Sequence, residues 1–315
     1  MNGAALIVGI NEYEHTKSLE GCENDANTIM ELLSRNQDGS PNLECKVLTG
    51  SITKDLLAAE VNNLFKSKVD LIVFYFAGHG ALDDIDGYLI TSEAKKIDDG
   101  FSMSTLLKRA KNSNVPQVVL VLDCCFAGSL GSLMPNDSRG DSSLREGMAI
   151  LAACAKDETA REKNESGVFT TLVAAALLGG GRNILGDVTV GSIYSYVEKA
   201  LGAFDQRPVF KAHLLRMIRL RKCNALVDSA IVRLLPAYFE TRETVLPLDP
   251  SYEPSVEPRD EIKERTFKHF QTLRDARLLV PVDEQHLYYA AINSKACKLT
   301  PLGQFYWDLA KRQRV

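Results

Sequence analysis

The 315-residue chain is 45% hydrophobic and 25% charged, the balance of an ordinary soluble globular protein, and it is long enough for one large core and a smaller unit. Its net charge of −4 gives no argument for nucleic acid or an anionic membrane surface, no apolar run reaches transmembrane length, and the start lacks a basic leader with a cleavage site. Seven cysteines, odd in number and without CxxC spacing, suit a reducing cytoplasm better than a disulfide framework and argue against structural zinc, so a cytoplasmic protein without a bound metal is expected.

In chain order, Ala4 to Ile10 reads as the first buried strand. A loop from Asn11 to Glu20 then passes through Gly21-Cys22-Glu23-Asn24-Asp25-Ala26 into a helix, because Ala26, Ile29, Met30 and Leu33 recur at helical spacing. Asp25, in the first turn, has a plain structural reading as a cap and dipole partner. Glu44 to Leu48 is a short strand, and Thr53 is placed to cap a helix whose core face is Leu57, Val61, Leu64 and Phe65. Asp70 to Phe76 is an apolar strand that runs directly into Ala77-Gly78-His79-Gly80. Residues 81 to 100 read as an acidic, solvated loop with a short hairpin at Gly87-Tyr88-Leu89-Ile90 and no EF-hand spacing. Ser102 then caps a helix marked by Met103, Leu106, Leu107 and Ala110.

Val118 to Leu122 is an unbroken β-branched and aliphatic run, the pattern of a strand buried on both faces. The chemistry changes abruptly at its end, where Asp123, Cys124 and Cys125 stand. Reactive groups of open α/β sheets gather at the carboxyl ends of strands. A His at the tip of one buried strand and a Cys at the tip of the next can therefore meet, and such a pair performs covalent catalysis. Taken alone, the two cysteines read more readily as ordinary buried thiols.

Residues 129 to 146 are rich in Gly, Ser and Asp and carry Arg139 and Arg145, the composition of a mobile loop. Gly147 to Ala153 is a further strand, and Phe169, Leu172, Val173, Ala176 and Leu177 mark a helix that stops at Gly179-Gly180-Gly181. Val190, Ile193, Tyr194, Val197 and Leu201 mark another helix, and His213 to Leu220 is expected to be the last strand. Strands and helices alternate from 4 to 220, which predicts an α/β domain built on a mostly parallel sheet with helices on both faces.

The expected organisation is a first domain at 1–222, a helix with a Pro-rich linker at 223–259, and a small α+β module at 260–315. Ala225 to Phe239 looks helical, and Pro247, Pro250, Pro254 and Pro258 describe an extended linker. Ile262, Thr266, Phe270 and Leu273 line a helix, Leu278 to Val282 and His286 to Ala290 read as a hairpin, and Thr300-Pro301 opens a last helix with the stripe Leu302, Phe305, Tyr306 and Leu309. This order resembles part of a winged-helix module. Its ten Lys and Arg against seven Asp and Glu leave an excess of three, too small for nucleic-acid binding, so a docking module for a protein partner is expected.

Several stretches, in order, resemble a caspase-fold cysteine peptidase of the metacaspase type: Leu6-Ile7-Val8-Gly9-Ile10, Leu19 to Ala26, Phe74 to Gly80, Asp123-Cys124-Cys125-Phe126-Ala127-Gly128 and Gly167-Val168-Phe169-Thr170. The His-to-Cys spacing of 46 residues fits as well. The resemblance covers about the first 220 residues and leaves the C-terminal module outside. It implies Cys125 as nucleophile and His79 as its partner. It also implies an acidic pocket of Cys22, Asp25 and Asp123 for a substrate Arg or Lys, and protein substrates generally. Phe126, Ala127 and Ala77 replace the His, Ser and Ser that the family usually carries. Many metacaspases need calcium held near the nucleophile; that neighbourhood here is Ser129, Gly131 and Ser132, so no cofactor is expected and calcium stimulation is disfavoured.

The expected reaction is thiolate attack by Cys125, proton transfer through His79, and oxyanion stabilisation by the N–H groups of Gly80 and Cys125. Arg139 and Arg145 are candidate self-cleavage sites of a zymogen, because exposed loops are the usual nicking sites. A stress, cell-death or anti-phage role is what the resemblance suggests. Two alternatives stand beside this reading: an inactive caspase-fold scaffold acting through its C-terminal module, and a DNA-binding regulator.

Overall fold

The computed structural model describes residues 2–125, 144–153, 162–163, 166–201 and 208–315. The elements of the first unit are, in order, β1 (Gly3–Gly9), α1 (Cys22–Ser34), β2 (Glu44–Leu48), α2 (Lys54–Lys66), β3 (Leu71–Ala77), β4 (Gly80–Leu82), β5 (Gly87–Leu89), β6 (Phe101–Ser102), α3 (Met103–Asn112), β7 (Gln117–Asp123), β8 (Met148–Ala152), β9 (Glu162–Lys163), β10 (Ser166–Gly167), α4 (Val168–Ala175), β11 (Asp187–Thr189), α5 (Val190–Leu201), β12 (Val209–His213) and β13 (Arg219–Lys222).

Six strands form the central sheet in the order β12-β8-β7-β3-β1-β2. All neighbours are parallel except β12, which runs antiparallel to β8 at the edge. Every residue of β3 is buried, as its continuous apolar run demands of a strand covered on both faces. Alternate residues of each strand feed two cores. One face packs Ala5, Ile7, Val73, Tyr75, Val119 and Val121 against α1, α4 and α5. The other packs Leu6, Val8, Ile72, Phe74, Val118 and Leu120 against α2 and α3. Thr53 and Ser102 cap α2 and α3 by accepting from Leu56 and Thr105 N–H, as their positions predict. Leu57, Val61, Leu64 and Phe65 are the buried face of α2.

Three local expectations change. The last strand of the sheet is β12, ending at His213, whereas Leu215 and Met217 are exposed and β13 pairs with β11 instead. An edge strand needs only one covered face, so its apolar signal is weak. The acidic stretch after His79 is not wholly a solvated loop: β4, β5 and β6 form a small antiparallel sheet. Asp86 is buried beneath it, accepting from the Ser102 and Ser104 hydroxyls. The triple glycine does end a helix. The α4 run continues to Gly180 as a wider turn, and Gly179 with φ of 122° closes it.

The second compact unit comprises Asn183–Gly186 and Ala225–Val315. It contains α6 (Ser229–Arg233), α7 (Leu235–Tyr238), β14 (Val245–Pro247), α8 (Glu261–Asp275), β15 (Leu279–Val282), α9 (Leu287–Ile292), β16 (Ala296–Leu299) and α10 (Pro301–Lys311). The stretch expected as a linker is folded into it, with β14 pairing antiparallel to β16 in a sheet of order β14-β16-β15. Pro247 is tolerated in β14 because an edge strand needs few donors. The expected hairpin is also different. His286 to Ala290 enters α9, and β15 pairs with β16 across that helix, which is not the adjacent two-strand wing of a winged helix. The buried stripes shift accordingly: Phe267, Phe270 and Leu273 on α8, and Gly303, Tyr306 and Ala310 on α10, leaving Ile262, Leu302 and Phe305 exposed.

Candidate active site

The site stands at the carboxyl ends of β3 and β7. These strands are direct parallel neighbours, with Ala77 in register with Asp123, so both chains leave the sheet side by side. The chain after β3 carries His79 and Gly80, and the chain after β7 carries Cys124 and Cys125. Their closeness is visible at Gly80: a side-chain carbon there would sit 2.2 Å from the Cys125 carbonyl oxygen and 3.1 Å from the Cys124 sulfur. Only glycine permits that approach.

The adjacent cysteines have opposite surroundings. Cys124 is fully buried in the core that holds Leu120 and Leu122, whereas Cys125 is partly exposed. Consecutive residues leaving a strand point in different directions, which separates a packing thiol from an accessible one.

His79 is held from two sides. Its ring Nε2 lies 2.7 Å from the Lys17 carbonyl oxygen. A carbonyl only accepts, so Nε2 carries the proton and Nδ1 is left with its lone pair, the tautomer a base requires. The Tyr13 hydroxyl accepts from the His79 backbone N–H at 2.9 Å, and the two rings lie 4.7 Å apart. Neither Lys17 nor Tyr13 had a sequence signal. One acts through its backbone, and the other sits in an irregular loop.

The two carboxylates come from elements that are not neighbours in the sheet. Strand β7 does not lie beside β1, because β3 runs between them. Asp25 rides on α1, Asp123 ends β7, and both reach the start of α4. Asp25 Oδ2 accepts from the Gly167 N–H at 2.8 Å. Asp123 Oδ2 accepts from the Thr170 N–H at 3.2 Å and from the Thr170 hydroxyl at 2.7 Å. A side-chain carbon on Gly167 would lie 2.3 Å from Asp123 Oδ2 and 3.2 Å from Asp25 Oδ2, so both carboxylates border one point in space. Asp25 stands in the first turn of α1, whose N-cap Gly21 makes no side-chain bond, and through Gly167 it also places a negative charge at the N-terminus of α4.

Beneath them lies Tyr75 of β3. Its hydroxyl is 2.6 Å from Thr170 Oγ1. The Thr170 proton goes to the Asp123 carboxylate, which can only accept, so Tyr75 donates to Thr170. Burial first, then the charges of Asp123 and Asp25, push the Tyr75 phenol well above its usual range, which keeps it a donor. Cys22 also bears on that phenol, so all three expected pocket residues surround Tyr75. Thr170 belongs to a motif visible in the sequence, but its bond to Asp123 spans 47 residues and no spacing rule announces it.

Of the two arginines suggested for self-cleavage, Arg139 lies outside the described residues. Arg145 donates to the carbonyls of Ala110, Glu146 and Val115, and burial lowers its pKa. Cleavage after Arg145 requires those three bonds to break. Among the described residues no group of His, Cys, Asp or Glu is arranged to hold a metal ion, and no helix is long and apolar enough to cross a membrane.

Comparison with known proteins gives one consistent picture. The caspase domain family matches residues 2–218. A paracaspase of Dictyostelium discoideum is 28% identical over 173 residues, which is 53% of this chain and 41% of that protein. Caspase-1 of Spodoptera frugiperda superposes with a TM-score of 0.53 at 14% identity, covering 70% of this chain and 90% of that one. A protein from Geobacter sulfurreducens superposes with a TM-score of 0.50 at 16% identity, covering 69% and 95%. The match at 2–218 ends close to the first unit's last strand, takes in every strand-end group described above, and places the chain in the caspase domain family of peptidases.

Proposed function

We propose that the chain is a cysteine endopeptidase of the metacaspase type that cleaves after Arg, and less well after Lys, without a cofactor. The observation that carries this reading is the joint placement of His79 and Cys125 on neighbouring strand ends, with the Asp25 and Asp123 carboxylates bordering one point at the start of α4. In this reading His79 Nδ1 takes the Cys125 proton, and the thiolate attacks the scissile carbonyl carbon. The oxyanion is received by the N–H groups of Gly80 and Cys125, where one donor is worth about 3 kcal/mol. The imidazolium then gives its proton to the leaving amine, and water hydrolyses the thioester with His79 again as base.

The specificity follows from electrostatics. Two carboxylates on one buried point repel each other, and a guanidinium relieves that repulsion. Each carboxylate has lone pairs beyond those used by Gly167 and Thr170. A guanidinium reaches both with a planar fork, which an ammonium lacks. The second unit is proposed to engage a protein partner. The deciding experiment is a peptide-library digest by the purified chain beside Cys125→Ala. Cleavage after Arg, then Lys, absent in the variant, is expected. Cleavage after Asp, or none at all, overturns the proposal.

A further inference from the structure

A cleft of about 310 Å³ borders His79. His79 and Gly80 form its inner edge, Ile90 and Ala94 contribute its apolar wall, and Lys95 and Lys96 line it. Among the described residues its lining includes no carboxylate. Asp99 lies close by, but its carboxylate accepts from the backbone N–H groups of both lysines and so braces the turn that carries them. Asp98 contributes its carbonyl to Lys54, and His15 at the rim is 3.6 Å from Glu14. Both lysines are exposed, and neither ammonium makes a salt bridge among the described residues.

The position of this cleft relative to the reaction is fixed by chemistry. The group that protonates the leaving amine must stand beside that nitrogen. The leaving nitrogen belongs to the first residue after the scissile bond, so the substrate chain departs past His79. The carboxylate pair lies on the sheet face covered by α1 and α4, whereas Ile90 and Ala94 belong to the core of the opposite face. The acidic pocket and the lysine-lined cleft thus belong to opposite faces of the sheet whose strand ends carry His79 and Cys125. From this placement we infer that the enzyme selects acidic residues at the first or second position after the cleaved bond, with Lys95 and Lys96 as the groups that bind them. The inference rests on the peptidase reading and adds the leaving side of the substrate to it.

Extended substrate advances about 3.3 Å per residue, so one or two residues suffice to reach a wall bordering His79. Both ammonium groups are solvated, so each contact is the kind of exposed ion pair whose effect is modest and weakened by salt. The test uses internally quenched peptides identical up to Arg and carrying Glu, Gln or Lys at the next two positions. In wild-type protein kcat/KM should fall from Glu to Gln to Lys, with about five- to tenfold between the extremes, the size expected of one or two exposed pairs. The order should flatten in high salt. In Lys95→Glu/Lys96→Glu the order should invert, and the Glu-to-Lys ratio within one preparation is independent of how much of the variant is folded. An arginyl aminocoumarin amide, which has no residues after the bond, reports the Arg reading separately in wild-type protein. If that amide and the peptides are cleaved but Glu and Lys peptides are turned over equally, or the double variant keeps the wild-type order, this inference is overturned while cleavage after Arg stands. If cleavage occurs after another residue, the same set built around that residue tests the cleft alone.

Discussion

The strand ends of the first unit and the core of the second use buried polar groups in opposite ways. In the first, Asp25, Asp123 and Thr170 are buried where the strands end, and each has specific donors or acceptors drawn from distant parts of the chain. In the second, the buried polar residue is Glu253, and its Oε1 has no hydrogen-bond partner. Desolvating a charge is costly, and a protein recovers that cost by pairing it or by letting it hold a proton. The strand ends pair Asp25 and Asp123 in a rigid frame, which is what a binding pocket needs, although away from them the first unit also leaves Glu93 Oε2 without a partner. The second leaves one carboxylate oxygen bare, which carries no comparable frame. The difference teaches where function lies: substitution of the paired carboxylates at the strand ends should move activity, and substitution of Glu253 should move stability.

The sharpest way to break that contrast is at the two cysteines. Cys125→Ala should abolish cleavage. Cys124→Ala should keep it and instead lower the melting temperature, since removing a buried sulfur leaves a small cavity worth about 1 kcal/mol. Matched assays with the loss of activity on Cys124 would reverse the assignment. Next in size is the pocket. Asp123→Ala or Asp25→Ala should lower kcat/KM for Arg substrates by about a hundredfold or more, because the guanidinium loses one charge-assisted contact and the repulsion that its binding relieves is gone. If either variant is folded and still prefers Arg undiminished, the carboxylates only anchor α4.

A smaller effect is expected at Thr170, which touches Asp123 and not the substrate. Thr170→Val keeps the shape but removes the proton given to Asp123 and the acceptor used by Tyr75. It should raise KM for Arg substrates by about tenfold, the scale of one charge-assisted hydrogen bond, with little change in kcat. Thr170→Ser should restore most of the difference. A purely structural Thr170 would show equal loss of stability in both variants and no KM effect.

The sequence carried the first unit further than the second, and the reason is physical. Strands such as Leu71–Ala77 and Gln117–Asp123 are buried on both faces, so their apolar runs are unbroken and their ends are marked by the abrupt change to His79 and Cys125. Pairings across the sheet leave no such mark. That β3 separates β1 from β7, and that Asp25 and Asp123 converge only because α4 begins between them, depends on order in the sheet and not on local pattern. The second unit is built of short elements, where pattern is weakest. His286 to Ala290 carries two tyrosines that suit a strand yet opens the helix Leu287–Ile292, because Leu287, Ala290 and Ala291 fall on one buried side. On α10 the glycine at 303 brings the helix against Leu278, so Gly303, Tyr306 and Ala310 face inward rather than Leu302 and Phe305.

The smallest expected effect tests the other half of the comparison. Burial raises the pKa of Glu253 above its ordinary value of 4.5. Between that value and the raised one, the folded state holds a proton that the unfolded state has released. Stability rises with pH only where the unfolded state binds more protons, so here it falls as pH rises through this window and stays lower above it. Below the window both states are protonated and nothing is lost. Glu253→Gln cannot ionise and should remove this loss. The chain's only tryptophan, Trp307, lies in the second unit and donates its indole N–H to the Phe239 carbonyl, so its fluorescence follows that unit alone. Melting followed by Trp307 should shift upward by a few degrees in Glu253→Gln at neutral pH and hardly at all near pH 4. Peptide cleavage by the first unit should be the same in both proteins. A variant that melts lower at neutral pH would mean that the Glu253 carboxylate is paired after all, and a variant that changes cleavage would dissolve the contrast between the units.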